Sequence, residues 1–187
     1  TLTLGDDGMN GDRVAGDGVF SADWIIPDAP AFRYQWTLNQ GTAMPAETIS
    51  VTTAIVADNG DATADSAGTW WPSKLRAGYW ENGYAIAYTS SSERAFSWKP
   101  LLPRSGRYEV QVRWPEYSGF ASNALFHFTD SSGTENNFRL NQKINGGHWV
   151  SLGEYNFNQG DAGFTLSNAG ADSTVAADAI QLIWKGY

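Results

Sequence analysis

The sequence lacks cysteine altogether, so neither disulfide bonds nor thiolate-bound metals stabilise the fold. It has only two histidines, and neither the Gly-x-Ser-x-Gly turn of serine hydrolases nor the His-Glu-x-x-His helix of zinc proteases occurs. A pair of carboxylates that hydrolyses glycosides stays open, because distances across strands are invisible in a sequence. The acidic residues lie mainly in Gly- and Asn-containing turns, so we predict a chain that is not an enzyme.

Positive charge is also scarce: 12 Lys and Arg face 20 Asp and Glu, for a formal net charge of -8. Nucleic acids and anionic membranes attract proteins mainly through cationic surface, so this balance disfavours both as partners. No apolar run is long enough to span a bilayer, and we predict no membrane insertion. The composition is typical of larger extracellular bacterial proteins. We therefore expect a secreted or cell-surface chain, present as a mature form or as a fragment of a longer protein.

Aromatic residues and glycine are abundant, with 9 Trp, 8 Tyr, 9 Phe and 20 Gly. Short aromatic and β-branched runs alternate with clusters of Gly, Asn, Asp and Ser, which is the pattern of strands joined by turns. Helical periodicity is nowhere sustained over ten residues. These features predict an all-β fold.

The motifs change near residues 53–57, which predicts two units. Residues 1–53 contain two strand-like runs, 32–38 and 47–53, too few to bury a core alone. This unit is predicted to be a partial immunoglobulin-like β unit or an extension packed on the next domain. Residues 54–187 contain nine strand-like runs, the last spanning 176–184, and their regular spacing predicts a sandwich or jelly roll.

The second unit carries a set of motifs in a fixed order. They are IVADNGD (55–61), AGTWW (67–71), GYWENGYAIAY (78–88), FSWKPLLPRSGRYEVQVRW (96–114), LNQKINGGHWVSLGEYNF (140–157) and VAADAIQLIW (175–184). Together they resemble the golvesin C-terminal-like domain, also described as the xanthan lyase carbohydrate-binding-type domain. The resemblance implies a jelly-roll-type β-sandwich appended to secreted polysaccharide lyases, proteases and other surface proteins, with a binding role and no reaction of its own. The opening run DDGMNGDRVAGDGVF (6–20) separately resembles a turn of extracellular bacterial immunoglobulin-like modules.

Six aromatic residues crowd into positions 70–88, close to Gly68, Gly78 and Gly83. Sugar rings present apolar C–H faces that stack on exposed aromatic planes. Alternation along 84–88 puts Tyr84 and Tyr88 on one face, which is a candidate core face, and Trp70 or Trp71 is also expected inside. Tyr79 and Trp80, beside a Gly-rich loop, are the better sugar contacts. A large aromatic core explains these two equally well.

Three further residues complete the candidate carbohydrate site. In the run 108–114, Tyr108, Val110, Val112 and Trp114 share a predicted core face, which leaves Arg113 on the polar face. Tyr117 lies in the loop that follows. By analogy with jelly-roll binding modules, Trp149 after its Gly-Gly turn flanks the ligand, although a core position is an equal alternative. The predicted carbohydrate-binding residues are Tyr79, Trp80, Arg113, Tyr117 and Trp149.

Two groups of aspartates are candidate ligands for structural calcium, which takes six to eight oxygen donors. The first group lies in the Gly-rich opening segment and consists of Asp6, Asp7, Asp12 and Asp17. The second is Asp58 with Asp178, which the resemblance brings together through the first and last strands of the domain. Tight turns in which Asp caps backbone amides explain both groups without a metal.

Two functions of different classes follow. The first is a carbohydrate-binding module that targets a covalently linked catalytic domain, a polysaccharide lyase or hydrolase, to a polysaccharide. The family's name suggests an acidic, xanthan-like ligand, but the net charge of -8 argues against strong uniform attraction to such a polymer. The second function is a structural or adhesion spacer of a surface protein. Exposed aromatic rings favour the first function, and a dry aromatic core favours the second.

Overall fold

The computed structural model describes residues 32–35, 48–51, 54–61, 63–89 and 92–186, and within these ranges all regular structure is β-strand. In chain order the strands are β1 (Phe32–Gln35), β2 (Thr48–Val51), β3 (Ala54–Asp58), β4 (Ala64–Ala67), β5 (Trp71–Ser73), β6 (Tyr84–Ala87), β7 (Ala95–Trp98), β8 (Leu101–Leu102), β9 (Gly106–Arg113), β10 (Ala124–Thr129), β11 (Glu135–Leu140), β12 (Val150–Phe157), β13 (Gly160–Asp161), β14 (Phe164–Ser167), β15 (Val175–Ala177) and β16 (Ala179–Gly186). The prediction of an all-β fold is confirmed. The described ranges hold no helix long and apolar enough to cross a membrane.

Two antiparallel sheets form the sandwich. One has four strands in the order β12-β9-β16-β3, and the other has five in the order β11-β10-β14-β7-β4. A three-stranded sheet, β15-β6-β5, and a two-stranded sheet, β13-β8, complete the domain, while β1 pairs with β2. The division of the chain near residues 53–57 stays a prediction.

The core between the sheets is largely aromatic. The Phe128 ring of β10 lies 4.8 Å from the Tyr155 ring and 5.7 Å from the Phe157 ring of β12, and Phe164 of β14 lies 5.6 Å from Phe157. On β9 the alternation is the predicted one, since Tyr108, Val110 and Val112 are all buried. Burying each such side chain contributes roughly 1.5–3 kcal/mol, so these strands hold the sheets together.

The strand prediction was incomplete in two ways. Strands β4, β5, β8 and β13 were not predicted, because they are only two to four residues long and pair through the backbone with little β-forming sequence of their own. The run 176–184 was predicted as one strand, which is wrong. The chain leaves β15, which pairs with β6, passes through Asp178, and enters β16, which pairs with β9 and β3.

The strand register places the ends of four strands side by side at one end of the four-stranded sheet. Ala179 at the start of β16 lies opposite both Asp58 at the end of β3 and Arg113 at the end of β9. Val150 at the start of β12 lies opposite Val112. The residues that follow or precede these ends are therefore neighbours in space, although they come from four separate parts of the sequence.

Candidate functional site

Three loops meet at this edge of the sheet, and we call the region the loop edge: residues 74–83, 114–123 and 141–149, with Asp58 and Asp178. Gly147 N–H donates to Trp114 O at 2.8 Å, and Gly146 N–H donates to Glu116 Oε2 at 3.2 Å. The guanidinium Nε of Arg113 donates to Gly78 O at 3.0 Å. These bonds join the ends of β9 and the loops around it into one unit.

Two glycines permit the closest approach between these loops. Gly78 has a φ of 98° and Gly147 a φ of 75°, both in the left-handed region that side chains rarely enter. A Cβ on Gly78 would lie 2.9 Å from Gly147 Cα, which is closer than carbon atoms can pack. Glycine is therefore required at position 78 for both its backbone conformation and its contact.

Two indole rings and one guanidinium form the centre of the loop edge. The ring centroids of Trp80 and Trp149 lie 5.3 Å apart with planes inclined by 52°, and both side chains are half-buried. The Arg113 guanidinium carbon lies 5.7 Å from the Trp80 ring and 5.8 Å from the Trp149 ring, within the range of cation–π attraction. The structure thus brings together three of the predicted sugar contacts, and each keeps some accessible surface.

Asp178 lies behind this cluster and is 1% exposed. The backbone N–H of Trp80 donates to both of its carboxylate oxygens, at 3.0 and 3.2 Å. Burial raises the pKa of Asp178 to about 8, and the negative charge of Asp58 adds to the rise, while this bond and the Arg113 charge oppose it. The loop that carries Trp80 is therefore anchored on a buried carboxyl group.

Asp58 is the second buried carboxylate at this edge. Burial raises its pKa, and Asp61 and Glu81 add to the rise, whereas the amides of Gly60 and Asn59 oppose it. Its Oδ2 accepts the Gly60 N–H at 3.1 Å, as expected of a turn cap. In the orientation that satisfies both its polar atoms, the Asn59 side-chain amide donates to Gly83 O at 2.7 Å and to Asp58 Oδ1 at 3.3 Å. The turn after β3 is thereby tied to the loop before β6.

The other two predicted contacts lie in a second aromatic group and do not join the indole pair. Tyr79 packs on the buried Tyr84 ring with centroids 6.0 Å apart. Tyr117 is 37% exposed, but the Arg76 guanidinium carbon lies 3.6 Å from its ring centroid, and Phe120 contacts it at 5.3 Å in an edge-to-face arrangement. Protein groups therefore occupy ring surface of Tyr117 that a sugar would need.

Sequence reasoning missed Gln142, which positions this end of the domain. Its side chain is buried and makes two hydrogen bonds with the backbone of Ala176 in β15. Nε2 donates to Ala176 O at 2.7 Å, and Oε1 accepts the Ala176 N–H at 2.9 Å. Its backbone N–H donates to Ala121 O, and its carbonyl accepts from Tyr117. The motif that contains it, LNQKINGGHW, carries part of the family resemblance, but only its tryptophan was predicted to have a role at the site.

The structure describes one of the two predicted groups of metal ligands. Asp58 and Asp178 lie at the same edge, as predicted, whereas Asp6, Asp7, Asp12 and Asp17 lie outside the described residues. Within the described ranges, no three His, Cys, Asp or Glu side chains converge in a way that could hold an ion. A cation at Asp58 and Asp178 would therefore need amide, carbonyl or water oxygens as its other ligands.

Comparison with known proteins gives the domain its relatives. A xanthan lyase of Bacillus sp. (strain GL1) is 28% identical over 139 residues, which cover 71% of this chain and 15% of that enzyme. The solved Paenibacillus xanthan lyase superposes with a TM-score of 0.69 at 26% identity, over 76% of this chain and 14% of the enzyme. The chain thus spans about one seventh of the length of these relatives.

More distant solved structures share the fold. A Cellvibrio japonicus domain described as the CBM35 from Abf62 superposes with a TM-score of 0.52 at 18% identity, over 72% of this chain and 95% of that domain. A Podospora anserina GH26-CBM35 mannanase gives a TM-score of 0.53 at 15% identity, over 72% of this chain and 28% of the enzyme. The Golvesin C-terminal domain family matches residues 55–184, more than two thirds of the chain. The chain belongs to the Golvesin C-terminal domain family.

Proposed function

We propose that this domain is a non-catalytic carbohydrate-binding module that holds a polysaccharide at its loop edge. The observation that carries the proposal is the indole pair of Trp80 and Trp149, whose half-buried rings lie 5.3 Å apart beside the Arg113 guanidinium. A pyranose ring stacks its C–H face on such a surface. The guanidinium has five N–H donors. Its Nε–H donates to Gly78 O, so N–H groups on its two terminal nitrogens can donate to hydroxyl or carboxylate oxygens of a sugar.

The relatives support a carbohydrate ligand. Two are xanthan lyases, and the Cellvibrio japonicus domain is a CBM35, that is, a family 35 carbohydrate-binding module. We infer that the parent protein is a secreted polysaccharide-degrading enzyme and that this module targets it to its polymer. An acidic polymer of the xanthan type fits the Arg113 guanidinium, which pairs with carboxylates. Because the net charge is -8, the attraction must be local to such cationic groups.

We infer a structural role for calcium at Asp58 and Asp178. Both carboxyl groups are buried, burial raises the pKa of each, and the charge of Asp58 adds to the rise at Asp178, so a bound cation would remove the cost of keeping them ionised. Carboxylate oxygens are the hard ligands that calcium prefers. The ion would stabilise the turn after β3 and the anchor of the Trp80 loop. It would support the sugar site from behind.

A specific observation favours the alternative of a structural or adhesion spacer. Two of the five predicted sugar contacts, Tyr79 and Tyr117, are packed against protein groups instead of standing free. A module that only spaces or docks domains would need no accessible aromatic surface at all. The indole pair at the loop edge therefore decides between the two functions, and the test is directed at it.

The test is affinity electrophoresis through gels that contain xanthan, polygalacturonate or β-1,4-mannan. We expect retardation on at least one polymer, and Trp80→Ala and Trp149→Ala should each weaken it about tenfold, the loss of one stacking contact of about 1.4 kcal/mol. Ile144→Ala is the matched control, because Ile144 is an exposed apolar residue of the same loop outside the indole pair. A parent chain that no polymer of the panel retards would favour the spacer, whereas variants that are retarded as strongly as the parent chain, with unchanged melting temperature, would exclude the indole pair as the site.

A further inference from the structure

Two aromatic rings stand exposed at the other end of the β5–β6 hairpin. Trp71 is 38% exposed and Tyr88 is 51% exposed, and their ring centroids lie 5.0 Å apart with planes inclined by 57°. The sequence predicted a core face for Tyr88 and allowed one for Trp71. The structure packs the partly buried Trp70 against Phe96, whereas Trp71 and Tyr88 are exposed to solvent. Two adjacent exposed aromatic rings are a candidate contact surface for another molecule.

The backbone beneath Tyr88 is held independently of its ring. Its carbonyl oxygen accepts two hydrogen bonds, from Arg94 Nη1 at 3.2 Å and from Asn168 Nδ2 at 3.2 Å. Asn168 is 4% exposed, and its Oδ1 accepts the Arg94 N–H at 2.7 Å. A buried amide thus fixes both Tyr88 and Arg94. A ligand that contacts these residues would not have to order them first, which lowers the entropic cost of binding.

A cation completes the surface. The Arg94 guanidinium carbon lies 5.1 Å from the Trp71 ring centroid. The guanidinium has five N–H donors, and within the described residues it donates one hydrogen bond, to Tyr88 O. Gly68, with a φ of 78°, makes room for it, because a Cβ there would lie 2.8 Å from Arg94 Cγ. Stacking surface and hydrogen-bond donors are therefore side by side, which is the composition of a sugar contact.

This surface is separate from the loop edge. In the hairpin, Ser73 lies opposite Tyr84 and Trp71 lies opposite Ile86, so the loop 74–83 that carries Trp80 closes one end and the exposed rings lie at the other. At about 3.3 Å per residue, Tyr88 is roughly 13 Å along the strand from Tyr84. One polymer chain can span such a distance, whereas one sugar ring cannot.

We propose that Trp71, Tyr88 and Arg94 form a second polysaccharide-binding site, which takes a pyranose unit of the polymer that the loop edge holds. The proposal rests on the proposed function. The two exposed rings are a small patch beside the charged Arg94, which suits a sugar, with its apolar face and hydroxyl rim, better than an apolar protein surface. Two weak sites on one chain raise the avidity for a polymer without raising that for a short oligosaccharide.

The test compares the double variant Trp71→Ala/Tyr88→Ala with Trp80→Ala/Trp149→Ala and with Leu101→Ala, an exposed apolar control on β8. We expect the first to weaken retention on the polymer at least tenfold while leaving the affinity for a tetrasaccharide of the same polymer within about twofold. The Trp80→Ala/Trp149→Ala variant should lose both retention on the polymer and affinity for the tetrasaccharide. Retention of the Trp71→Ala/Tyr88→Ala variant at the level of the Leu101→Ala control would overturn the second site and leave the loop-edge proposal standing.

A measurement on the unaltered protein removes any dependence on how a variant folds. In a ¹H–¹⁵N spectrum, assigned through a Trp71→Phe sample, the polymer's longer oligosaccharides should shift the Trp71 indole signal at concentrations that also shift Trp80. A shift confined to Trp80 and Trp149 would overturn the second site alone. An unchanged spectrum with every polymer in the panel would overturn both proposals together.

Discussion

The backbone N–H of Trp80 donates to both carboxylate oxygens of Asp178, 98 positions away in the sequence, at 3.0 and 3.2 Å. This bond joins the loop that carries one indole to the point where the chain leaves β15 and enters β16. A side chain of the sandwich core thereby sets the position of a surface ring. The bond also explains why a carboxyl group is kept at a buried strand junction, where an apolar residue would pack at lower cost.

Asp178→Ala should therefore weaken polysaccharide retention, although residue 178 lies behind the indoles and is buried. The change leaves the Trp80 N–H without its acceptor, which costs about 1–3 kcal/mol of unfolding free energy. Asp178→Asn keeps an acceptor oxygen in place and should retain most of the stability and binding measured in a chelator. Urea unfolding with affinity electrophoresis distinguishes the two, and equal behaviour of both variants would contradict the anchoring role.

Gly78→Ala should separate the loops that form the loop edge. The added Cβ would lie 2.9 Å from Gly147 Cα, and the alanine would have to adopt a φ of 98°. Gly133→Ala is the matched control, since Gly133 has a φ of 82° and nothing lies within 4 Å of its Cβ position. Gly133→Ala should lower the free energy of unfolding by about 1 kcal/mol, which is the cost of the backbone conformation alone. Gly78→Ala should lower it by more and should also weaken polymer binding. Equal losses in thermal and binding assays would show that the close approach is unimportant.

Glu109 gives the domain a pH dependence on its acid side. A bond from Lys185 Nζ at 2.8 Å, supported by Gln111 and Ser151, lowers the pKa of Glu109 from 4.5 to about 2. Because the folded-state pKa lies below the unfolded one, the stabilisation is present above about pH 4.5 and is lost as the pH falls towards 2.

Glu109→Gln should accordingly cost about 1 kcal/mol at pH 7, and the difference from the parent chain should shrink steadily between pH 5 and pH 2. Glu154→Gln serves as the control, because Glu154 pairs with Arg107 on the surface and should contribute little at any pH. Urea unfolding at pH 7, 4 and 2.5 measures both. A Glu109→Gln difference that stays constant over this range would rule out the ionised carboxylate as its source.

Millimolar calcium should raise the melting temperature of the chain relative to chelator. A ligand that binds only the folded state stabilises it by about 2.7 kcal/mol at a hundredfold excess over its dissociation constant. The double variant Asp58→Asn/Asp178→Asn should lose the part of the effect that belongs to the loop edge. A part that persists in this variant would belong to other ligands, such as the predicted group of Asp6, Asp7, Asp12 and Asp17. No difference between calcium and chelator in the parent chain would contradict both sites.

The sequence predicted the fold well where side chains alternate strongly. The run of Tyr108, Val110 and Val112 identified a core strand, because a strand with one buried face must place its apolar residues at every second position. It could not predict β4, with the sequence ADSA, whose place depends on backbone pairing with β7. Nor could it show that Asp178 divides a continuous apolar run between two sheets, since the partner that holds it is remote in sequence.

The candidate site was predicted in part. Arg113 and Trp149 meet because the register aligns the ends of β9 and β12, and Trp80 joins them through its bond to Asp178; their motifs could be recognised in the sequence. Whether an aromatic ring is exposed depends on what lies against it in three dimensions. Tyr117 is covered by Arg76, whereas Tyr88, assigned by alternation to a core face, is exposed because its strand ends at Ala87.

The placement of β16 has a mechanical consequence for the module under the proposed attachment to a long polymer. A pull on the β5–β6 hairpin is transmitted through the ladder with β15 and through the Trp80–Asp178 bond into the start of β16. That strand lies between β9 and β3, hydrogen-bonded along both edges, so tension along it shears two ladders at once instead of peeling one open. The β5–β6 hairpin thus relies for its resistance to force on a strand that is paired along both edges.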